Sequence, residues 1–99
     1  MKVSAAKNRC ILMGSVKSCS QASSAALRFN LELEITESID VDDYPNFGKR
    51  FIGSTVAAFS VQDLSLLKTG DRIRCQAQFV GGPYKILFRL SNVSALSAQ

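Results

Sequence analysis

The stretch Leu27–Ile35, LRFNLELEI, alternates without interruption: Leu27, Phe29, Leu31, Leu33 and Ile35 share one parity, and Arg28, Asn30, Glu32 and Glu34 the other. Successive side chains of a β-strand point to opposite faces, so this pattern predicts a long strand with one face on a core and the other in water. The outer face passes from basic to acidic along its length.

Other segments carry the same period. In Asn8–Val16, NRCILMGSV, the set Cys10, Leu12, Gly14 and Val16 occupies every second place while Ile11 and Met13 fill the other register. A strand apolar on both faces is buried on both, or covered on one by a neighbouring subunit, which leads us to expect a homodimer or homotetramer. Gly14 within it predicts a bulge or sharp bend. Residues 18–26, SCSQASSAA, read as a loop. A third strand is expected in RFIGSTVAAF with Gly53 at its middle, and a short helix in SVQDLSLL, where Ser60 caps and Val61, Leu64 and Leu67 share a face. RIRCQAQF, from Arg72 to Phe79, supplies a fourth strand, Gly81-Gly82-Pro83 a tight turn, and YKILFRLSNVSAL a fifth.

Five strands with a helix between the third and fourth describe an all-β, five-stranded OB-fold Greek-key barrel. One domain is expected over residues 8–96, with residues 1–7 a loose arm and 97–99 a C-terminal end. No window has the roughly 18 consecutive apolar residues of a membrane span, and the N-terminus lacks a signal-peptide core, so a cytoplasmic protein without membrane contact is expected.

The charge is +4 overall but unevenly spread. Six of the eight acids lie between Glu32 and Asp43, where there is no Lys or Arg. A chain with one acidic edge and an otherwise basic surface attracts a polyanion to part of that surface. Catalysis has little support, since there is no His, no Ser-His or Cys-His pair and no phosphate-cradling Gly-rich loop. Cys10, Cys19 and Cys75 are odd in number and lack His companions, so neither a disulfide framework nor a zinc site is expected. The acids of DVDD, Asp40 to Asp43, lack calcium-loop spacing. No cofactor or metal is expected.

Binding single strands requires cations along the phosphates and flat side chains under the bases. Phe29, Phe59, Phe79 and Phe88 fit inward registers and are assigned to the core. That leaves Tyr44, Phe47, Phe51 and Tyr84 in or beside loops, with Phe47, Phe51 and Tyr84 taken as stacking candidates. Lys7 and Arg9 open strand one, Lys17 ends it, Arg28 starts strand two, and Lys49 and Arg50 adjoin the loop aromatics. Arg72, Arg74, Lys85 and Arg89 belong to the last hairpin, whose outward positions are expected to bring them near one another. Opposed like charges are destabilising, which points to a bound anion or an acidic partner.

In order, NRCILMGSV, LRFNLEL, LSLLKTGDRIRCQAQF and FRLSNVSAL resemble the opening strand, second strand, helix-turn-fourth strand and closing strand of the bacterial single-stranded-DNA-binding protein family. The resemblance spans roughly residues 8–96 and implies an OB fold that binds single-stranded DNA in replication, recombination or repair, with proteins of those processes as partners. The family's stacking tryptophans are absent here, and the chain stops at LSAQ without the family's acidic tail motif. A tail-less relative such as the primosomal replication proteins is therefore the closer comparison. RNA is an alternative ligand, because phosphate and stacking contacts do not read the 2′-hydroxyl. An OB module for protein assembly without nucleic-acid binding is the alternative function.

Overall fold

The computed structural model describes residues 7–23 and 26–96. Apart from Lys7, the expected arm and C-terminal end lie outside the described residues. Five strands, β1 (Cys10–Ser23), β2 (Ala26–Asp40), β3 (Thr55–Ser60), β4 (Arg72–Phe79) and β5 (Leu87–Ala95), form one sheet that closes in a ring in the order β1-β2-β3-β5-β4. All neighbours are antiparallel except β3 and β5, which run parallel. The ring has no free edge because β1 pairs with β2 on one side and, over Cys10–Ser15, with β4 on the other. Among the described residues, no helix is long and apolar enough to cross a membrane.

The inward parity supplies the core. Leu12 and Val16 of β1, Leu31, Leu33 and Ile35 of β2, Ile73 of β4, and Phe88 and Leu90 of β5 are all buried. Each such side chain contributes about 1.5–3 kcal/mol relative to exposure. Gly14 bends β1 as expected, with a register shift between Met13 and Gly14, and a Cβ there would collide with the backbone carbonyl of Glu34. The buried Asn8 pins the entry to β1: its Nδ2 donates to the Phe79 carbonyl at 3.1 Å and its Oδ1 accepts from the Phe79 N–H at 2.7 Å.

Five expectations change. Leu27, expected on the core face of LRFNLELEI, is 49% exposed, so the inward face of β2 begins at Phe29. Residues 18–23 are strand rather than loop, because β1 runs on to Ser23 and pairs with β2 as far as Ser23↔Ala26. From Lys17 to Ala22 only Cys19 is shielded, so this ribbon buries too little to carry an alternating pattern. The helix expected at Ser60–Leu67 is absent. There the Ser60 hydroxyl accepts from the Gln62 N–H at 3.1 Å, and the Asp63 carboxylate accepts from the Ser65 N–H at 3.0 Å. Such local bonds compete with helical ones, and Gln62 is further held by two bonds to the Val93 backbone. The one helical element among the described residues is a 3₁₀ turn at Lys49–Phe51. Gly53 lies in the turn before β3 with φ +91°, a conformation that favours glycine, rather than inside a strand. Finally, Phe59 is not a core residue: Val56, Ala58 and Ser60 take the inward positions of β3 and leave the Phe59 ring on the outer face.

Candidate nucleic-acid interface

The register places one outward row across four strands. Asn30 of β2 pairs with Phe59 of β3, Phe59 with Arg89 of β5, and Arg89 with Gln78 of β4. Arg28 stands on the same face of β2, two residues before Asn30. Its Cζ lies 4.2 Å from the centre of the Phe59 ring, and its Nε donates to the Asn30 Oδ1 at 3.3 Å. Arg9 continues the row where β1 begins, and with Gln76, Gln78, Arg89 and Ser91 it lines an open concavity of about 210 Å³. The Arg9 guanidinium sits over Tyr44, 4.8 Å from the ring centre, while its backbone N–H donates to the Pro45 carbonyl. The row thus combines three guanidinium groups, two rings and three side-chain amides.

The same strands hold the row beside two connections. β1 ends at Ser23 and β2 begins at Ala26, so Arg28 lies near the connection between them. β4 ends at Phe79 and β5 begins at Leu87, so Gln78 and Arg89 flank the β4–β5 loop. In that loop Tyr84 is 100% exposed and Lys85 is exposed beside it. The sequence-derived candidates Arg9, Arg28 and Arg89 therefore lie along this row, Tyr84 and Lys85 are exposed in the loop that Gln78 and Arg89 flank, and Lys7, exposed, precedes Arg9.

The remaining candidates do not join them. The Lys17 ammonium is 3.1 Å from Glu34 and the Lys49 ammonium 3.3 Å from Asp40, so each has a carboxylate partner. Phe47 and Phe51 are half-buried against the core: Phe47 meets Phe79 edge-on at 5.9 Å, and Phe51 meets Phe79 at 6.5 Å and Phe88 at 5.7 Å. Arg50 lies beside this cluster, exposed. Arg72 and Arg74 are outward on β4, but the register separates them from the row. Arg74 pairs with Ser94, whereas Arg89 pairs with Gln78, about 13 Å further along the strand. The expected apposition of Arg72, Arg74, Lys85 and Arg89 is not what the hairpin delivers, because a bulge between Arg74 and Gln76 shifts the pairing and the long loop carries Lys85 beyond the strands.

Electrostatics separate the row from the acidic part of the chain. Asp40 accepts from the Asn46 amide and faces Lys49, and these contacts hold its carboxyl below the usual range. Glu32 accepts from the Ser18 hydroxyl at 3.2 Å. Burial pushes the Cys75 thiol up to about 12, with Cys10 nearby adding to the effect, and burial also raises Cys10, so these two core thiols stay protonated at neutral pH.

Sequence reasoning missed Phe59, the amides Asn30, Gln76 and Gln78 and, as a ring under a guanidinium, Tyr44. Phe59 was detectable through its neighbours, since reading Val56 and Ala58 as the inward pair forces Phe59 outward with Thr55 and Ala57. No protein-family model matches the chain, and no curated protein or solved structure is significantly similar to it.

Proposed function

We propose that this chain is an OB-fold protein that binds single-stranded nucleic acid, DNA first, in the cytoplasm and in the service of replication, recombination or repair. The observation that carries the proposal is the outward Phe59 ring under Arg28, in one row with Asn30, Arg89 and Gln78. A large ring held on the wet face of a strand contributes little to a core, but it offers a π-face for a base, and the guanidinium over it offers a second flat surface. Arg89 and Arg9 then stand where the phosphates on either side would pass.

The strand order supports the fold assignment, because a five-stranded Greek-key ring in which β1 serves two neighbours and β3 runs parallel to β5 is the arrangement an OB fold requires. Location supports the ligand. OB folds hold oligonucleotides on strands 2 and 3 and on the loops joining strands 1–2 and 4–5, and the row lies among these parts. Three guanidinium contacts on a single strand give a slope of log K against log salt of about −2. A labelled oligo-dT titrated at several salt concentrations tests this. Binding with that slope supports the proposal, and no binding at micromolar protein in low salt refutes it.

A further inference from the structure

The concavity between Arg9 and Arg89 is lined by two carboxamides as well as two cations. Gln78 pairs across the sheet with Arg89, and Gln76, two residues earlier on β4, pairs with Ser91. Both glutamines stand on the outer face, since Ile73, Cys75 and Ala77 take the inward positions of β4. They are therefore about 7 Å apart along one strand, with the buried Ala77 between them. Ser91, opposite Gln76, is short and leaves the hollow open, while Arg9 and Arg89 supply further walls.

These polar groups are not spent within the protein. Among the described residues, the side chains of Gln76, Gln78, Arg89 and Ser91 have no hydrogen-bond or ion-pair partner. Gln62 shows the contrast: its carboxamide donates to the Val93 carbonyl at 2.9 Å and accepts from the Val93 N–H at 2.8 Å. A carboxamide presents a donor beside an acceptor. Half of it is therefore wasted on a phosphate, which only accepts, whereas the edge of a base can use both halves.

Bases differ in how many such edges they offer. Adenine carries N6–H beside N1 on its Watson–Crick edge and N6–H beside N7 on its Hoogsteen edge, so two carboxamides can each make a paired contact with it. Guanine shows two acceptors, O6 and N7, on its Hoogsteen edge and leaves one carboxamide mismatched. Cytosine and thymine have one matching edge each.

Resting on the single-strand binding proposed above, we infer that this concavity is an adenine-reading subsite, in which Gln76 and Gln78 hydrogen-bond the two edges of one base. Its volume, about 210 Å³, is below the roughly 300–1,000 Å³ of a drug-sized pocket and suits a single base. Phe59 lies two strands from Gln78, roughly 10 Å, with Arg89 between them. A strand that stacks one base on Phe59 thus passes a phosphate over Arg89 and delivers the next base to the glutamines. Arg9, on the far side, takes the following phosphate. Adenine in a strand engages all of these groups, and a free adenine nucleotide does not.

The test titrates the full chain with labelled dT oligomers of about ten nucleotides that differ in one central base. The oligomer with a central dA is expected to bind about 5–150-fold tighter than all-dT, the discrimination of a good bidentate contact, and tighter than those with dG or dC. Gln76→Leu and Gln78→Leu are each expected to bring the dA-to-dT affinity ratio within about twofold of one, because a single carboxamide is matched by every base. A ratio taken within one protein cancels any general loss of binding. Equal binding of dA and dT oligomers by the wild type overturns the inference and leaves the single-strand reading standing, as does tighter binding of dG or dC than of dA. A ratio unchanged in both variants, or displacement of the dA oligomer by equimolar adenosine monophosphate, also overturns it. No binding of any oligomer overturns both.

Discussion

Two aromatic regions of this small ring behave oppositely. Phe47, Phe51, Phe79 and Phe88 gather at one end, edge to face and stacked, with centroids 5.4–6.5 Å apart, and Phe88 is wholly buried. Phe59 stands apart on the outer face, touched by a guanidinium instead of another ring. The first group packs ring on ring against the core, with Phe47, Phe51 and Phe79 half-buried around a small open concavity beside Arg50. The second holds a half-buried ring on the outer face, beside arginines that have no carboxylate partner among the described residues. An aromatic beside a basic residue in sequence is thus no guide to stacking. Phe51 follows Arg50 and packs on Phe79 and Phe88, while Phe59, equally half-buried, follows Ala58 and meets the Arg28 guanidinium.

Mutations at the two regions should separate stability from binding. The largest effect is expected at Phe88→Ala, which should lower unfolding free energy by about 3–5 kcal/mol in urea denaturation. A smaller loss than 1 kcal/mol would mean that the cluster is not the core. Next, Phe59→Ala should weaken oligo-dT binding by about 1–3 kcal/mol, or roughly 5–150-fold. Its stability should change by no more than about 1 kcal/mol, the value of an exposed cation–π contact. The reverse pattern, a large stability loss with unchanged affinity, would make Phe59 structural. Phe51→Leu should leave affinity within about twofold while costing under about 1.5 kcal/mol of stability, since it preserves most of the packed volume. For Arg89→Met, the salt slope should fall by about 0.7, the share of one phosphate contact on a single strand.

The smallest effect concerns the core thiols. Cys75 ionises at an ordinary 9.0 when unfolded and at about 12 in the fold, so the unfolded state loses its proton first. The contribution is therefore complete below about pH 9 and is lost as pH rises toward 12. The urea midpoint should drop between pH 8 and 10, and less so in Cys75→Ala.

Strand content was legible where one face is dry. LRFNLELEI from Phe29 onward and RIRCQAQF declare their parity because every second residue meets the core. The ribbon at residues 18–23 hid as a loop because residues 18–22 bury almost nothing and so have no pattern to show. The missing helix at Ser60–Leu67 had the right apolar spacing, but eight residues supply few helical bonds, and Ser60, Asp63 and Gln62 each offer the backbone another partner. The site failed at one residue for a related reason. Ranking by hydrophobicity puts Phe59 inside and Ser60 outside, whereas the register pairs Ser60 with Phe29 and Phe59 with Asn30, and a one-residue difference in register inverts the whole face. Arg72 and Arg74 were visible as outward cations, but no one-dimensional reading tells that Glu34 and Glu37 lie in the same rows two strands away.

The central claim is that the Phe59 row binds single-stranded nucleic acid. The most direct measurement is a side-by-side titration of labelled oligo-dT with wild type and Phe59→Ala at about 50 and 200 mM salt, where phosphate contacts dominate the difference. The expected result is wild-type binding that weakens with salt, and a variant at least about fivefold weaker at both concentrations with the same salt slope. Equal binding by the two proteins would contradict the role of Phe59, and no binding by either would leave an assembly module in place of a nucleic-acid binder.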